Sequence, residues 1–227
     1  MSRLRRALIV GFLLSVMATR AATSATPALA KCQPYSNDHS RIDDGVYYYD
    51  GGLQTGTYGG IYANVYNYSP WVQPSSTTSA WTMLAEQSDF YAQVGWIEYA
   101  GGGRYTFTEY TITPILLGGD GNIAPQQVGV FTYYGTLWSP NTKVFTFQVN
   151  GSTVDQSPAL SWTPGNAQAN GEIHTLASQM SGAVANDENF WDVHVYNNGW
   201  VYWSGTLYNR YPNYFGNRQD DPHDFDI

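Results

Sequence analysis

The stretch Lys143-Val144-Phe145-Thr146-Phe147-Gln148-Val149, followed by Asn150-Gly151 and Ser152-Thr153-Val154-Asp155-Gln156, decides the fold class. Phe145, Phe147 and Val149 alternate with Thr146 and Gln148, the period-two pattern that sends apolar side chains to one face of a strand. Asn150-Gly151 then supplies two residues that tolerate positive φ, as a tight two-residue hairpin turn demands. The reading is a strand over 143–149, a turn, and a returning strand over 152–156.

Outward from this hairpin the chain repeats the same grammar. Short extended runs bounded by Gly, Pro, Asn and Ser predict strands near 58–67, 79–85, 90–99, 104–112, 127–135, 169–176, 190–196 and 200–208. Asn197-Asn198-Gly199 marks a second hairpin turn. No long amphipathic helix and no repeat at a fixed period is found. About ten short strands with turn residues between them predict an all-β, antiparallel two-sheet β-sandwich of the jelly-roll kind.

The ends read differently. Arg3, Arg5 and Arg6, the apolar run Ala7 to Ala18 and the small-residue stretch closing on Ala28-Leu29-Ala30 have the layout of a secretory signal peptide over 1–30. The apolar run is too short to span a bilayer, and no later run is long enough. The expected product is secreted, extracellular and not a membrane protein. Lys31 before Cys32 is a poor match to the small-residue context of a lipid-anchored cysteine. Residues 31–57 form a polar, Tyr- and Gly-rich lead-in, 58–208 the sandwich, and 209–227 an acidic, aperiodic tail expected to be loose.

Charge and composition exclude several classes. Charged residues are 12% and aromatic residues 16%, with 19 Tyr and 8 Trp. Disordered chains have the opposite balance. Without the leader, residues 31–227 carry six basic and eighteen acidic side chains, a net charge of −12. That charge disfavours nucleic acid and anionic membranes as partners. A single Cys permits no internal disulfide, so the core alone must stabilise the fold.

Two extended runs carry residues suited to hydrolysis: Gln93 in Phe90–Tyr99 and Glu172 in Asn170-Gly171-Glu172-Ile173-His174. Alternation puts Gln93 on one face with Tyr91, Gly95 and Ile97, and Val94, Trp96 and Glu98 on the other. Tyr105, Phe107 and Glu109 share a face of the next run, and Glu172 shares one with His174. An amide and a carboxylate facing each other across a sheet can position and activate a water. Gly95 is expected to leave open space beside Gln93, and Trp81 to wall the cleft.

In order along the chain, Ser79-Ala80-Trp81, Gln93-x-Gly95-x-x-Glu98-Tyr99, Phe107-Thr108-Glu109-Tyr110, Asn170-Gly171-Glu172-Ile173 and Asn189-Phe190-Trp191-Asp192-Val193 resemble the glutamic peptidases of the eqolisin family. The resemblance spans roughly residues 58–197. It implies a concanavalin-like sandwich and a Gln/Glu dyad acting on a protein or peptide substrate, without metal or other cofactor. Gln93 and Glu172 match the dyad, and Trp81 and Glu109 the cleft tryptophan and supporting acid. The family's Trp-x-Gly is Trp81-Thr82-Met83 here, and the dyad glutamate precedes Ile173 instead of an aromatic residue.

Other constellations are missing. The chain has no G-x-S-x-G, H-E-x-x-H, P-loop or G-x-G-x-x-G motif. His174 stands without the His-rich spacing of a metal site. Gly118-Gly119-Asp120-Gly121-Asn122 has too few acids for a calcium loop and reads as a turn. Asn67-Tyr68-Ser69 and Asn150-Gly151-Ser152 are glycosylation sequons, the second explained by its hairpin. The alternative function is a non-catalytic carbohydrate- or cell-wall-binding module that holds a polysaccharide on Trp191, Trp200, Tyr202 and Trp203. A monomer is expected in either case.

Overall fold

The computed structural model describes residues 42–43, 58–67, 69–87, 90–173, 189–203, 218–221 and 224–226. The expected leader, most of the lead-in with Cys32, His174 and residues 204–208 lie outside the described residues. Among the described residues there are fourteen strands and no helix: β1 (Ile42–Asp43), β2 (Gly60–Tyr66), β3 (Thr77–Gln87), β4 (Phe90–Tyr99), β5 (Gly103–Thr113), β6 (Leu116–Pro125), β7 (Phe131–Trp138), β8 (Phe145–Val149), β9 (Ser152–Gln156), β10 (Asn166–Ile173), β11 (Asn189–Tyr196), β12 (Trp200–Tyr202), β13 (Arg218–Asp221) and β14 (Asp224–Asp226).

They form two antiparallel sheets, the β-sandwich expected from the strand pattern. The first has the order β1-β10-β3-β4-β5-β6. The second runs β13-β14-β11-β2-β7-β8-β9, with β12 also paired to β11. Alternation explains how the sheets meet. Ala80, Leu84, Val94 and Trp96 of the first sheet and Ile61, Val65, Phe147, Val193 and Val195 of the second are buried in one core. Removing each of the Val, Leu, Ile and Phe side chains from water contributes roughly 1.5–3 kcal/mol.

The opening hairpin forms as read. Asn150 and Gly151 have φ of 49° and 76°, and β8 pairs with β9 across them. Asn150 Oδ1 also accepts the Tyr133 amide at 3.1 Å, tying the turn to the adjacent β7.

Four readings are corrected. Gly118–Asn122 is no turn; it lies inside β6, paired with β5 through Tyr110–Gly118, Glu109–Gly119 and Thr108–Asp120. Glycine is needed there because a Cβ at Gly119 would stand 2.1 Å from the Thr108 carbonyl oxygen, and its φ is +123°. The strand expected over 127–135 sits further on, at Phe131–Trp138. The segment before it is tied down by Asn67, whose amide donates to Gln127 O and Thr132 Oγ1. Asn67 is 0% exposed, so its sequon serves the interior and offers no acceptor for a glycan. Finally, the tail read as loose contributes β13 and β14, which pair with each other and onto β11.

Candidate active site

The outward face of the first sheet carries the candidate residues. Antiparallel register puts directly opposed residues on one face. Trp81 stands opposite Gly95 on β4 and Asn170 on β10. Gln93 stands opposite Met83 on β3 and Glu109 on β5. Glu172 stands opposite Ser79 on β3 and, on its other side, Asp43 of β1. Alternation thus leaves Trp81, Met83, Gln93, Phe107, Glu109 and Glu172 together on the side away from the main core. There Trp81, Met83, Ala85 and Phe107 form a second, smaller apolar cluster.

Each polar residue is held. Gln93, 1% exposed, donates from Nε2 to Glu109 Oε1 at 3.4 Å. The same oxygen accepts the Tyr91 hydroxyl at 2.5 Å. Glu172, 6% exposed, accepts the Trp81 indole N–H on Oε2 at 3.1 Å. Gln93, Glu109 and Glu172 all line one open cleft of about 390 Å³, together with Thr77, Ser79, Ile97, Tyr99, Phe107, Thr108 and the β6 residues Leu117, Gly118, Gly119 and Gly121.

The glycine-rich β6, read from sequence as a turn, is therefore a wall of this cleft. A Cβ at Gly118 would stand 2.4 Å from the Tyr110 ring, so only glycine lets the strand lie so close. Nothing in the alternation pattern pointed to it. The apolar Ile97 and Phe107 were legible from alternation, being two and four positions from Gly95 and Gly103 on their strands.

Two expected roles change. Trp81 is no wall: it is 2% exposed and lies in the small apolar cluster, where its indole N–H donates to Glu172. Gly95 opens no space for substrate. A Cβ there would stand 2.0 Å from the Ala80 carbonyl oxygen and 2.7 Å from Trp81 Cα, so Gly95 lets β3 approach β4 closely. Glu98, two residues beyond Trp96 on the inward face, belongs to a different arrangement. It takes Arg104 Nη2 at 2.8 Å and Nε at 3.2 Å, while the guanidinium stacks 3.7 Å over the Trp96 ring. His174 lies outside the described residues.

The electrostatics follow from the lining. Among the described residues the cleft lining carries two carboxylates, Glu109 and Glu172, and no Lys, Arg or His. Burial first, then Asp120 and Glu109, push the Tyr99 hydroxyl above the usual tyrosine range, keeping it a neutral donor. Among the described residues no group of three His, Cys, Asp or Glu side chains is placed to hold a metal ion. Gln93 and Glu172 thus stand on one face and line one cleft, with Glu172 level, through Ser79, with Ile97, four residues along β4 from Gln93.

No protein-family model matches the chain, and no curated protein matches it in sequence. Solved structures do match its fold. Scytalido-glutamic peptidase with a transition state analog inhibitor is similar over 70% of this chain and 82% of its own, at 15% identity and a TM-score of 0.52. The same peptidase with a peptide-based transition state analog matches over 71% and 84%, at 13% identity and a TM-score of 0.50. At these identities the likeness is one of fold: this chain has the sandwich of the glutamic peptidases, as a distant resemblance.

Proposed function

We propose that this protein is a secreted endopeptidase of the glutamic type, hydrolysing peptide bonds through Gln93, Glu172 and an activated water. The observation that carries this reading is the single cleft that Gln93, Glu109 and Glu172 line together. In the cycle, the Glu172 carboxylate takes a proton from a bound water, and the water oxygen attacks the peptide carbonyl. The second N–H of the Gln93 amide donates to the oxyanion, worth about 3 kcal/mol when well aimed. Glu172 then gives its proton to the leaving amine nitrogen as the C–N bond breaks. Trp81 keeps the carboxylate in place throughout. The cycle needs a proton carried on Glu172 for the leaving amine, so activity is expected in acid solution and falls toward neutrality.

The test is digestion of an acid-denatured protein between about pH 2 and 6 by the purified protein. Glu172→Gln and Gln93→Ala are each expected to abolish cleavage, and pepstatin to leave the wild type unaffected. Undiminished cleavage by either variant refutes the dyad.

A second reading, a carbohydrate-binding module, is favoured by one observation on the opposite sheet. Trp191, Trp200 and Tyr202 are exposed there. His194 stacks on Tyr62 with ring centroids 4.6 Å apart, and Tyr202 lies 4.2 Å from His194. Trp203 takes no part in such a surface, being 1% exposed in the core. No cleavage by the wild type, with retention on a polysaccharide column, would support this module over the peptidase.

A further inference from the structure

We propose that Tyr91 is a positioning residue of the cleft, fixing the orientation of the Gln93 amide through Glu109. The inference rests on the peptidase reading for its kinetic consequence, but its structural core stands on three side chains. Tyr91 and Gln93 are two residues apart on β4 and so share the cleft face, with Glu109 directly opposite Gln93 on β5. The Tyr91 hydroxyl donates to Glu109 Oε1 at 2.5 Å. The Gln93 Nε2 donates to that same oxygen at 3.4 Å.

The chemistry of the three groups gives the arrangement a direction. A primary amide has a donating and an accepting end, and turning it over exchanges them. A carboxylate oxygen only accepts, so a Glu109 oxygen beside Gln93 selects the amide nitrogen and turns the carbonyl away. With one N–H spent on Glu109, the other has a fixed direction in the amide plane, which is what an oxyanion donor requires. The selection works only while the carboxylate stays put. Glu109 is half-buried at the cleft edge, and the Tyr91 phenol is a rigid anchor for it: the Tyr91 ring packs against the apolar cluster of Trp81, Met83, Ala85 and Phe107, and its backbone N–H donates to Thr111 Oγ1 at 3.3 Å. Rigid ring, hydroxyl, carboxylate and amide form a chain ending in the donor.

Tyr91→Phe keeps the packed ring and deletes the donor. Its expected effect is a roughly tenfold lower kcat at unchanged KM, the signature of an interaction needed in the transition state. Because Tyr91 acts through Glu109, adding Tyr91→Phe to Glu109→Ala is expected to cause no further loss. A kcat within twofold of wild type, or fully additive losses in the double variant, overturns the proposal. A second measurement is independent of catalysis. In ¹⁵N-glutamine-labelled protein the Gln93 side-chain NH₂ pair, assigned by its loss in Gln93→Ala, is expected to be rigid in the wild type. It becomes motionally averaged in Tyr91→Phe. An equally rigid pair in the variant also refutes the role. If the wild type cleaves nothing, the peptidase reading falls by itself, and this amide signal alone decides for or against the Tyr91 relay.

Discussion

Trp81 Nε1 donates a 3.1 Å hydrogen bond to Glu172 Oε2, from a position diagonal to it across the β3–β10 ladder. Both side chains are buried, so the bond is made in a medium where a charge-assisted hydrogen bond is worth about 1.5–3 kcal/mol. Trp81→Phe keeps an aromatic ring in the small apolar cluster and removes the donor. The expected outcome is a kcat/KM on a peptide substrate lowered by roughly 10- to 100-fold, with a lower thermal midpoint. Wild-type kinetics in that variant would show that the indole supports packing alone.

The close approach of β3 and β4 gives a second expectation. A Cβ at Gly95 would lie 2.0 Å from the Ala80 carbonyl oxygen, and backbone cannot swing aside as a side chain can. Gly95→Ala should therefore destabilise by about 3 kcal/mol or more, at or beyond the upper end for overpacking. Gly165→Ala is the control, because its Cβ would meet only Glu86 O at an ordinary 3.7 Å. Its midpoint in urea should move by no more than about 0.5 kcal/mol equivalent.

How far the sequence reached can be judged from such positions. Alternation alone separated Gln93 from Val94 and Glu109 from Tyr110, since a strand has only two faces and a slip of one residue exchanges them. It could not say which strands adjoin. The neighbouring of β10 and β3, which brings Glu172 to Trp81, is a long-range pairing with no local trace. Gly95 looked like an opening because the lack of a side chain says nothing about what approaches instead. Gly118–Gly121 looked like a turn because glycine marks both turns and strands that must lie against a ring or a backbone. Asn67 carried a surface motif yet is buried, since a sequon records three residue types and not the hydrogen bonds waiting for its amide.

Titration of the far sheet offers a test on stability. Burial first, then Asp192, Tyr133 and Tyr202, push the Tyr62 hydroxyl up to about 12 from an ordinary value of 10.0. An acid whose folded pKa is raised holds its proton longer when folded than when unfolded. The unfolded chain thus releases a proton first, and stability, complete below about pH 10, declines as pH rises toward about 12. Urea midpoints measured across that window should fall. Tyr62→Phe should flatten the decline, with Tyr133 contributing a smaller share in the same direction. An unchanged slope in the variant would mean that Tyr62 ionises alike in both states.

The inward-facing pair of Glu98 and Arg104 supplies the last prediction. Arg104 Nη2 lies 2.8 Å from Glu98 Oε2, both side chains are nearly solvent-free, and Ser69 Oγ donates to the same carboxylate at 3.1 Å. Taking two charges out of water is costly, so the pair is no simple gain, but removing one partner leaves the other charge buried without its counter-ion. Arg104→Met should cost about 3–5 kcal/mol for that reason, and it also removes the cation stacked over Trp96. Arg104→Met combined with Glu98→Gln should recover most of the loss, because the remaining amide is neutral and still bonds to Ser69. High salt should leave the wild-type contribution nearly unchanged, as counter-ions do not reach a pair this buried. Urea unfolding of the two single variants and the double variant measures the coupling directly. Purely additive losses would show that the two residues stabilise the sandwich independently.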